Sequence, residues 1–293
     1  MGSNKSFFSE TKPVFNRRKV ESIIRRALAE DIGRGDITTR LIIPAAKKVS
    51  AAVIVNQDCL VCGLPVVEKV FKIADRNIRF VPLVGEGRQV KKGRLIAKVY
   101  GNARSILTAE RVALNILSML SGVATKTREF VKETDKYKVK VSDTRKTLPG
   151  LRELQKYAVR VGGGYNHRMS LDEMVLIKDN HLKVITNCAK LPNLPKGHKV
   201  EIEVKNLREF KQALRFKPDL IMLDNMSIRE IKKAVRIRNN SEFKSPYSRT
   251  KLEISGGVNL KTIKKIAAAG VDIISVGALT HSLKAIDISL EVL

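Results

Sequence analysis

The chain has 293 residues, 43% of them hydrophobic, which suffices for about two domains and excludes a disulfide-stabilised miniature or a disordered tail. Lysine and arginine number 56 against 29 acidic residues, so the net charge is +27 and anionic partners are expected. The mean hydropathy is −0.13. No uninterrupted apolar run approaches the roughly 18 residues of a membrane-spanning helix, so we expect neither a spanning segment nor a membrane partner.

Cysteine usage and the first residues bear on the compartment. Three cysteines, Cys59, Cys62 and Cys188, are too few for a disulfide framework and predict a reducing, cytoplasmic location. Cys59 and Cys62 form a lone CxxC without a second pair, so we expect packing cysteines rather than a metal site. Residues 1–18 lack a signal peptide's apolar stretch and are expected to be flexible, although residues 1–6 fit the short and common myristoylation pattern.

The first half of the chain predicts mixed α+β structure. Apolar residues recur with helical spacing over residues 19–30. A stronger stripe over residues 108–120 predicts a second helix, which Gly122 is placed to end. The other predicted elements are strands at 49–56 and 79–84, a helix at 66–74 and a small β-hairpin unit at 85–101.

Near residue 122 the pattern changes to short apolar strands that alternate with helices, which predicts a parallel sheet. We therefore expect an N-terminal α+β, sandwich-like domain over residues 1–122 and an α/β domain over residues 123–293. Ser227 and Glu230 form a capping box, and Asn259 is placed to cap a helix that stops at Gly270. The predicted strands are 139–142, 174–177, 200–204, 220–223, 252–254 and 273–276, and two further helices are predicted at 206–216 and 228–238.

Each predicted strand of the second half ends in polar or glycine residues. An α/β barrel builds its site from the loops at the carboxyl ends of many strands, whereas an open doubly wound sheet concentrates its site at one switch point. The pattern therefore favours a barrel, and six strands predict an open, incomplete one. These rim residues are Thr144, Arg145, Lys146, Lys178, Asp179, Asn180, Glu203, Asp224, Asn225, Ser255, Gly256, Gly257 and Gly277.

The rim combines cations, carboxylates and bare backbone. Arginine and lysine side chains can bind a small dicarboxylate or phosphates, and two carboxylates on neighbouring strands can hold Mg²⁺ or accept hydrogen bonds from sugar hydroxyls. Taken singly, each residue also fits a solvated rim, an ordinary ion pair or a turn. Together they predict a phosphate-handling barrel enzyme. The cationic group is Arg145, Lys146, Arg168 and Lys178 with His167, the carboxylates are Glu203 and Asp224, and the backbone donors lie at 255–257 and Gly277.

These motifs resemble the quinolinate phosphoribosyltransferase family from about residue 19 to the end, in the family's order. The resemblance is long and specific, and it includes a helix around Arg111 in the first half. The matching segments are 30–38, 107–115, 142–152, 155–160, 162–168, 176–181, 201–204, 222–225, 253–257 and 276–282.

The resemblance implies a reaction in which quinolinate and phosphoribosyl pyrophosphate give nicotinate mononucleotide, pyrophosphate and CO₂, with Mg²⁺, on the de novo route to NAD. It also implies an N-terminal α/β domain, an open α/β barrel and at least a dimer. Lys146, Glu203 and Asp224 are then expected to be catalytic. By the same resemblance, Arg145, His167, Arg168 and Lys178 line the quinolinate pocket with Thr144, and Arg111 enters from the other subunit. Glu203 and Asp224 serve the ribose and Mg²⁺, the ion directly or through water, while Ser255, Gly256, Gly257, Val276, Gly277 and Ala278 take the 5′-phosphate.

Three observations leave alternatives open. Residues 183–199 look shorter and less helical than the family's segment, so a barrel helix there is in doubt. The large charge suggests nucleic-acid binding, but 5% aromatic residues and the absence of tryptophan provide few stacking platforms, so we expect no specific nucleic-acid partner. A molybdenum-transport-linked homologue of the same fold is a second alternative, and the presence of Arg145, His167, Arg168 and Lys178 speaks against it.

Overall fold

The computed structural model describes residues 14–184, 197–239 and 250–293, which fall into two compact units. The N-terminal unit comprises residues 14–128, Thr147–Gly163 and Leu279–Leu293. The barrel unit comprises Glu129–Lys146 and the described part of Gly164–Ala278. The domain boundary predicted at residue 122 stays a prediction.

The N-terminal unit is built around an antiparallel sheet with the strand order β12-β1-β5-β3. A short second pairing joins β2 to β4. The expected α+β composition of this half is confirmed. Its elements are α1 (Arg17–Ile32), α2 (Ile37–Ile42), β1 (Lys48–Val55), β2 (Cys59–Leu60), α3 (Leu64–Ala74), β3 (Arg79–Pro82), β4 (Gln89–Val90), β5 (Leu95–Asn102), α4 (Ala103–Thr134), α5 (Arg152–Val161) and β12 (Ile288–Val292).

Helix α1 shows why the chain becomes regular before residue 18. The side chain of Asn16 accepts a hydrogen bond from the backbone N–H of Lys19 and so caps the helix. Val20, Ile24 and Leu28 form its buried stripe. The expected flexible start is therefore wrong for residues 16–18, and residues 1–13 lie outside the described part of the chain.

The predicted β-hairpin at 85–101 is wrong, because its two strands pair with different partners. Strand β4 pairs with β2, whereas β5 lies between β1 and β3. The Glu86 carboxylate accepts hydrogen bonds from the N–H groups of Gly63 and Leu64 at 2.6 and 3.1 Å, which ties the turn before β4 to the start of α3. The hairpin was predicted from the glycines of the local turns, which give no information about this long-range contact.

Helix α4 continues through Gly122 to Thr134, so the predicted end at Gly122 is wrong. Gly122 instead allows a close approach of backbone, since a Cβ at this position would lie 2.2 Å from the carbonyl oxygen of Lys284. The glycine serves packing against the returning chain rather than helix termination.

Among the described residues, α4 is the one helix with the length and hydropathy that could cross a membrane. Buried positions make up 61% of its most apolar window. Such burial is also found in the core helix of a soluble protein.

The barrel unit contains the six predicted strands, all in one parallel sheet of order β6-β11-β10-β9-β8-β7. Strands β7 to β11 follow one another in chain order, and β6 returns beside β11 as in a wound barrel. Within the described ranges β6 and β7 do not pair, so the predicted open α/β barrel is confirmed. The elements are β6 (Lys140–Ser142), β7 (Val175–Ile177), α6 (Asp179–Val184), β8 (Val200–Val204), α7 (Leu207–Arg215), β9 (Leu220–Asp224), α8 (Ile228–Asn239), β10 (Lys251–Ser255), α9 (Ile263–Ala267) and β11 (Ile273–Ser275). Helix α10 (Ala278–His281) begins at the last residue of this unit and belongs to the N-terminal unit from Leu279 on.

The helices of this unit confirm one predicted cap and correct another. Ser227 and Glu230 exchange the hydrogen bonds of a capping box at the start of α8. Helix α9 begins at Ile263 and ends at Ala267, so Asn259 does not cap it directly; the Asn259 side chain accepts from the N–H groups of Lys261 and Thr262 in the preceding turn. The prediction for 183–199 falls largely outside the described residues.

We predict that Gly122→Ala lowers the free energy of unfolding by on the order of 2 to 4 kcal/mol, because the new Cβ cannot fit beside the Lys284 carbonyl. Chemical denaturation measures the change. Gly85→Ala is the matched control, since a Cβ at Gly85 meets no atom within 4 Å. Equal stability of the two variants would contradict this packing role.

Candidate active site

A cleft of about 430 Å³ opens at the carboxyl edge of the barrel sheet. All of its lining belongs to the barrel unit. The structure thus brings together predicted residues that are spread over more than a hundred positions of sequence. The predicted residues in its lining are Thr144, Arg145, Lys146, His167, Arg168, Lys178, Glu203, Asp224, Asn225, Ser255 and Gly256.

The guanidinium of Arg168 and the backbone of Lys178 each have a hydrogen-bond partner next to the cleft. The guanidinium of Arg168 donates from Nη1 to the carbonyl oxygen of Met174 at 2.7 Å. Burial, and then the charge of Arg145, lower the pKa of Arg168. The backbone N–H of Lys178 donates to Nδ1 of His181 at 2.9 Å. Positive charge is therefore concentrated here against its own repulsion.

The two predicted carboxylates end neighbouring strands. Glu203 lies on β8 and Asp224 ends β9. Burial raises the pKa of Glu203, the Lys178 ammonium lowers it, and the nearby Asp224 carboxylate raises it again. Lys178 Nζ lies 3.5 Å from Glu203 Oε2. This is the ordinary ion pair that the sequence analysis considered as an alternative role for Glu203. The same pair joins the cationic and the carboxylate sides of the cleft.

A tight turn after β10 depends on Gly256. Its φ is +87°, and a Cβ there would lie 2.3 Å from the Asn225 side-chain oxygen. Asn225 itself has a φ of +54°, a left-handed conformation that asparagine tolerates better than most residues. Its N–H donates to the carbonyl oxygen of Ser255 at 3.0 Å. The glycine of the predicted phosphate loop is thus required by packing and by its backbone conformation.

The predicted residue His167 belongs to a buried group whose two carboxylates, Glu201 and Glu253, the sequence analysis missed. His167 Nε2 is 3.0 Å from Glu201 Oε2 and 3.6 Å from Glu253 Oε2. Glu201 and Glu253 are completely inaccessible to solvent, and burial raises the pKa of each to about 8. Each precedes a predicted rim residue by two positions, at Glu203 and Ser255. Because side chains two apart in a strand share a face, this spacing is the signal that could have revealed them.

Some predicted residues lie elsewhere. Gly257, Val276, Gly277 and Ala278 follow β10 and β11 but are not part of the cleft lining. Arg111 belongs to α4 of the N-terminal unit, where its side chain is 63% exposed and lies 4.0 Å from Glu110. Cys59 and Cys62 are buried, and burial raises the pKa of Cys59 to about 11, as expected for packing thiols.

Comparison with known proteins decides which family this arrangement represents. Residues 36–121 match the family model of the N-terminal domain of quinolinate phosphoribosyl transferase, and residues 123–291 match that of its C-terminal domain. The chain belongs to the quinolinate phosphoribosyltransferase family. Membership confirms the resemblance seen in the motifs.

Individual relatives agree with this family. A probable nicotinate-nucleotide pyrophosphorylase (carboxylating) of Methanocaldococcus jannaschii is 41% identical, with 92% of this chain and 96% of the relative covered. The protein of the same name in Bacillus subtilis is 36% identical, with 94% of each chain covered. The solved structure of the nicotinate-nucleotide pyrophosphorylase of Francisella tularensis superposes with a TM-score of 0.87 at 41% identity, over 97% of this chain and 100% of that one.

We predict that Glu253→Gln changes how stability depends on pH. Burial raises the pKa of this carboxyl group to about 8 in the folded protein, against about 4.5 in the unfolded chain. Its contribution to stability is therefore fully present at pH values below about 4.5 and is lost as the pH rises from there towards 8. The variant should therefore gain stability relative to the parent between about pH 5 and pH 8, by on the order of 1 to 3 kcal/mol. Chemical denaturation at both ends of this range measures the difference.

The control is Glu68→Gln, the same change at an exposed position of α3. A stability difference between Glu253→Gln and the parent that stays constant with pH would contradict the neutral, buried carboxyl.

Proposed function

We propose that the cleft binds quinolinate beside phosphoribosyl pyrophosphate and catalyses the reaction of the family, which yields nicotinate mononucleotide, pyrophosphate and CO₂. The observation that carries this proposal is the convergence of Arg145, Arg168 and Lys178 on one cleft with Glu203 and Asp224. Both substrates are anions. A preorganised cationic cleft offsets their mutual repulsion and holds them within reacting distance.

The cations take the quinolinate carboxylates. Two guanidinium groups offer planar, paired donors to planar carboxylates, and the Lys178 ammonium adds a point charge. Burial and then repulsion from Arg145 lower the pKa of Arg168, and the repulsion is relieved when a dianion lies between the two guanidinium groups. The cleft should therefore bind a dicarboxylate more tightly than a monoanion.

The carboxylate side suits the ribose and a magnesium ion. Burial and the nearby Asp224 carboxylate raise the pKa of half-buried Glu203, and carboxylate oxygens are the hard ligands that Mg²⁺ prefers. These two residues would hold Mg²⁺, directly or through water, and the ion would neutralise charge on the departing pyrophosphate. As the bond from ribose C1 to pyrophosphate breaks, the same carboxylates stabilise the oxocarbenium-like sugar.

The ring nitrogen then bonds to C1, and the ring becomes cationic. The bond from ring C2 to its carboxylate breaks, the electron pair stays at C2 beside the charged nitrogen, and a proton replaces the lost CO₂. No covalent nucleophile is needed from the protein. The protein positions the quinolinate ring with Arg145, Arg168 and Lys178, and Lys146 lies near the ring and the pyrophosphate.

The glycine-rich ends of β10 and β11 are proposed to take the 5′-phosphate. Backbone N–H groups at a loop before a helix offer fixed donors to phosphate, and barrel enzymes use this region for that purpose. Gly256 keeps the turn open because a side chain there would collide with Asn225. The proposed ligands are Ser255, Gly256, Gly257, Val276, Gly277 and Ala278.

The proposal includes the oligomeric state of the protein and its location in the cell. We propose a homodimer or a higher assembly in which Arg111 of one subunit reaches the cleft of another. The proposal is supported by the exposure of the Arg111 guanidinium, which lies at the surface of α4 with a long ion-pair distance of 4.0 Å to Glu110. A cytoplasmic location fits the buried, unoxidised cysteines at 59 and 62.

We predict that Arg145→Ala and Lys178→Ala each lower quinolinate turnover at least about a hundredfold, because each removes a charge-assisted contact to a carboxylate. The measurement is CO₂ release in the presence of phosphoribosyl pyrophosphate and Mg²⁺. Lys211→Ala, at an exposed position of α7, is the matched control. Full activity in either cleft variant, with the circular dichroism spectrum unchanged, would remove that residue from the site.

We predict that Arg111→Ala and Lys178→Ala subunits, each inactive alone, recover activity when mixed and allowed to exchange. A mixed dimer carries one cleft with both wild-type residues, so about a quarter of the parental activity is expected by random pairing. Subunit exchange is followed independently by mass spectrometry of differently tagged chains. Proven exchange without recovery would show that clefts are not shared between subunits.

A further inference from the structure

The ring of His167 is held on both nitrogens by fixed groups. Its Nδ1 lies 2.8 Å from the backbone nitrogen of Arg168, and its Nε2 lies 3.0 Å from Glu201 Oε2. The backbone N–H of His167 donates to Asp143 Oδ1 at 2.9 Å. Only 8% of the residue is accessible to solvent. The imidazole therefore has little freedom to turn towards a ligand.

These contacts determine which ring nitrogen carries the proton. A backbone N–H is always a donor, so Nδ1 of His167 must accept and carries no hydrogen. The neutral ring then has its hydrogen on Nε2, which donates to Glu201 Oε2. This assignment needs only an acceptor oxygen on Glu201 and holds whether that carboxyl is ionised or not.

The same geometry argues against a metal ion at this cluster, although His167, Glu201 and Glu253 bring ligand atoms within 4.8 Å of one another. A metal on Nε2 would require that nitrogen to lose its hydrogen while Nδ1 still accepts from Arg168. The ring would then carry no proton at all, as an imidazolate, which a buried site with two carboxylates does not favour.

We infer that Glu201 is a positioning residue: it fixes His167 as a neutral Nε2–H imidazole, and that ring in turn holds the backbone of Arg168. His167 is then a rigid support for the cationic wall rather than a charged contact to quinolinate. Arg168 continues the chain of contacts, because its guanidinium donates to the Met174 carbonyl beside β7. The kinetic consequences of this inference rest on the proposed function, but the state of the ring does not.

Nuclear magnetic resonance of isotope-labelled histidine tests the ring directly. Spectra of the intact protein are recorded at about pH 7 alone, with Mg²⁺ alone, and with saturating quinolinate, and a His167→Asn variant assigns the signal. We expect the neutral Nε2–H tautomer in all three conditions. A doubly protonated ring with quinolinate, an Nδ1–H tautomer, or loss of the Nε2 hydrogen with Mg²⁺ would each overturn the inference.

Substitution of Glu201 separates the acceptor oxygen from mere packing. Glu201→Gln keeps an oxygen that can face Nε2, so we expect the tautomer to persist and the KM for quinolinate to stay within about threefold of the parent. Glu201→Leu removes the acceptor, so we expect the Nε2–H signal to shift and KM to rise on the order of tenfold or more, with a smaller change in kcat.

Equal kinetics and spectra for Glu201→Leu and the parent would contradict the positioning role. If Glu201→Leu does not fold, the spectrum of the parent protein with quinolinate still shows whether His167 is a neutral Nε2–H imidazole. If no variant and no parent shows quinolinate turnover, the proposed function fails, while the tautomer remains measurable in the free protein.

Discussion

The site depends on a concentration of positive charge that the fold must hold against its own repulsion. Strands β6 and β7 end at one edge, so Arg145 and Lys178 meet there, and Arg168 joins them from the segment between these strands. Burial and the neighbouring Arg145 both disfavour the charge of Arg168. The sheet, its loops and the opposing carboxylates supply the restraint. A dianionic ligand relieves the repulsion, which couples the stability of the cleft to the substrate it is proposed to bind.

Two layers of carboxylates divide the work of holding this charge. The outer pair, Glu203 and Asp224, faces the cleft at the ends of β8 and β9. The inner pair, Glu201 and Glu253, is wholly buried, and its raised pKa values show how costly full ionisation would be there. An inner layer that stays largely neutral can support the wall through hydrogen bonds without cancelling the cationic field that attracts substrates. His167 joins the inner pair to the cationic wall, because its Nε2 lies near Glu201 and Glu253 while its Nδ1 accepts a hydrogen bond from the backbone N–H of Arg168.

The sequence predicted what local pattern controls and missed what distant contacts control. The six barrel strands and their rim were found because short apolar runs between helices, each ended by polar residues, are a local signal. Gly122 was misread as a helix end because its partner, the Lys284 carbonyl, lies far along the chain. The prediction of a hairpin at 85–101 was wrong because the Glu86 carboxylate accepts a hydrogen bond from the backbone at the start of α3, far away in sequence. Glu201 was overlooked because a glutamate inside a fully buried strand contradicts ordinary burial preferences, although its spacing from Glu203 placed both on one face.

The most direct test of the account is the stoichiometry of the reaction with purified protein, Mg²⁺, phosphoribosyl pyrophosphate and quinolinate labelled in the carboxyl group at ring C2. If the converged cations hold both anions in one cleft, labelled CO₂ and pyrophosphate should appear in equal amounts and only when both substrates are present. CO₂ release without phosphoribosyl pyrophosphate, or pyrophosphate release that does not depend on quinolinate, would contradict it.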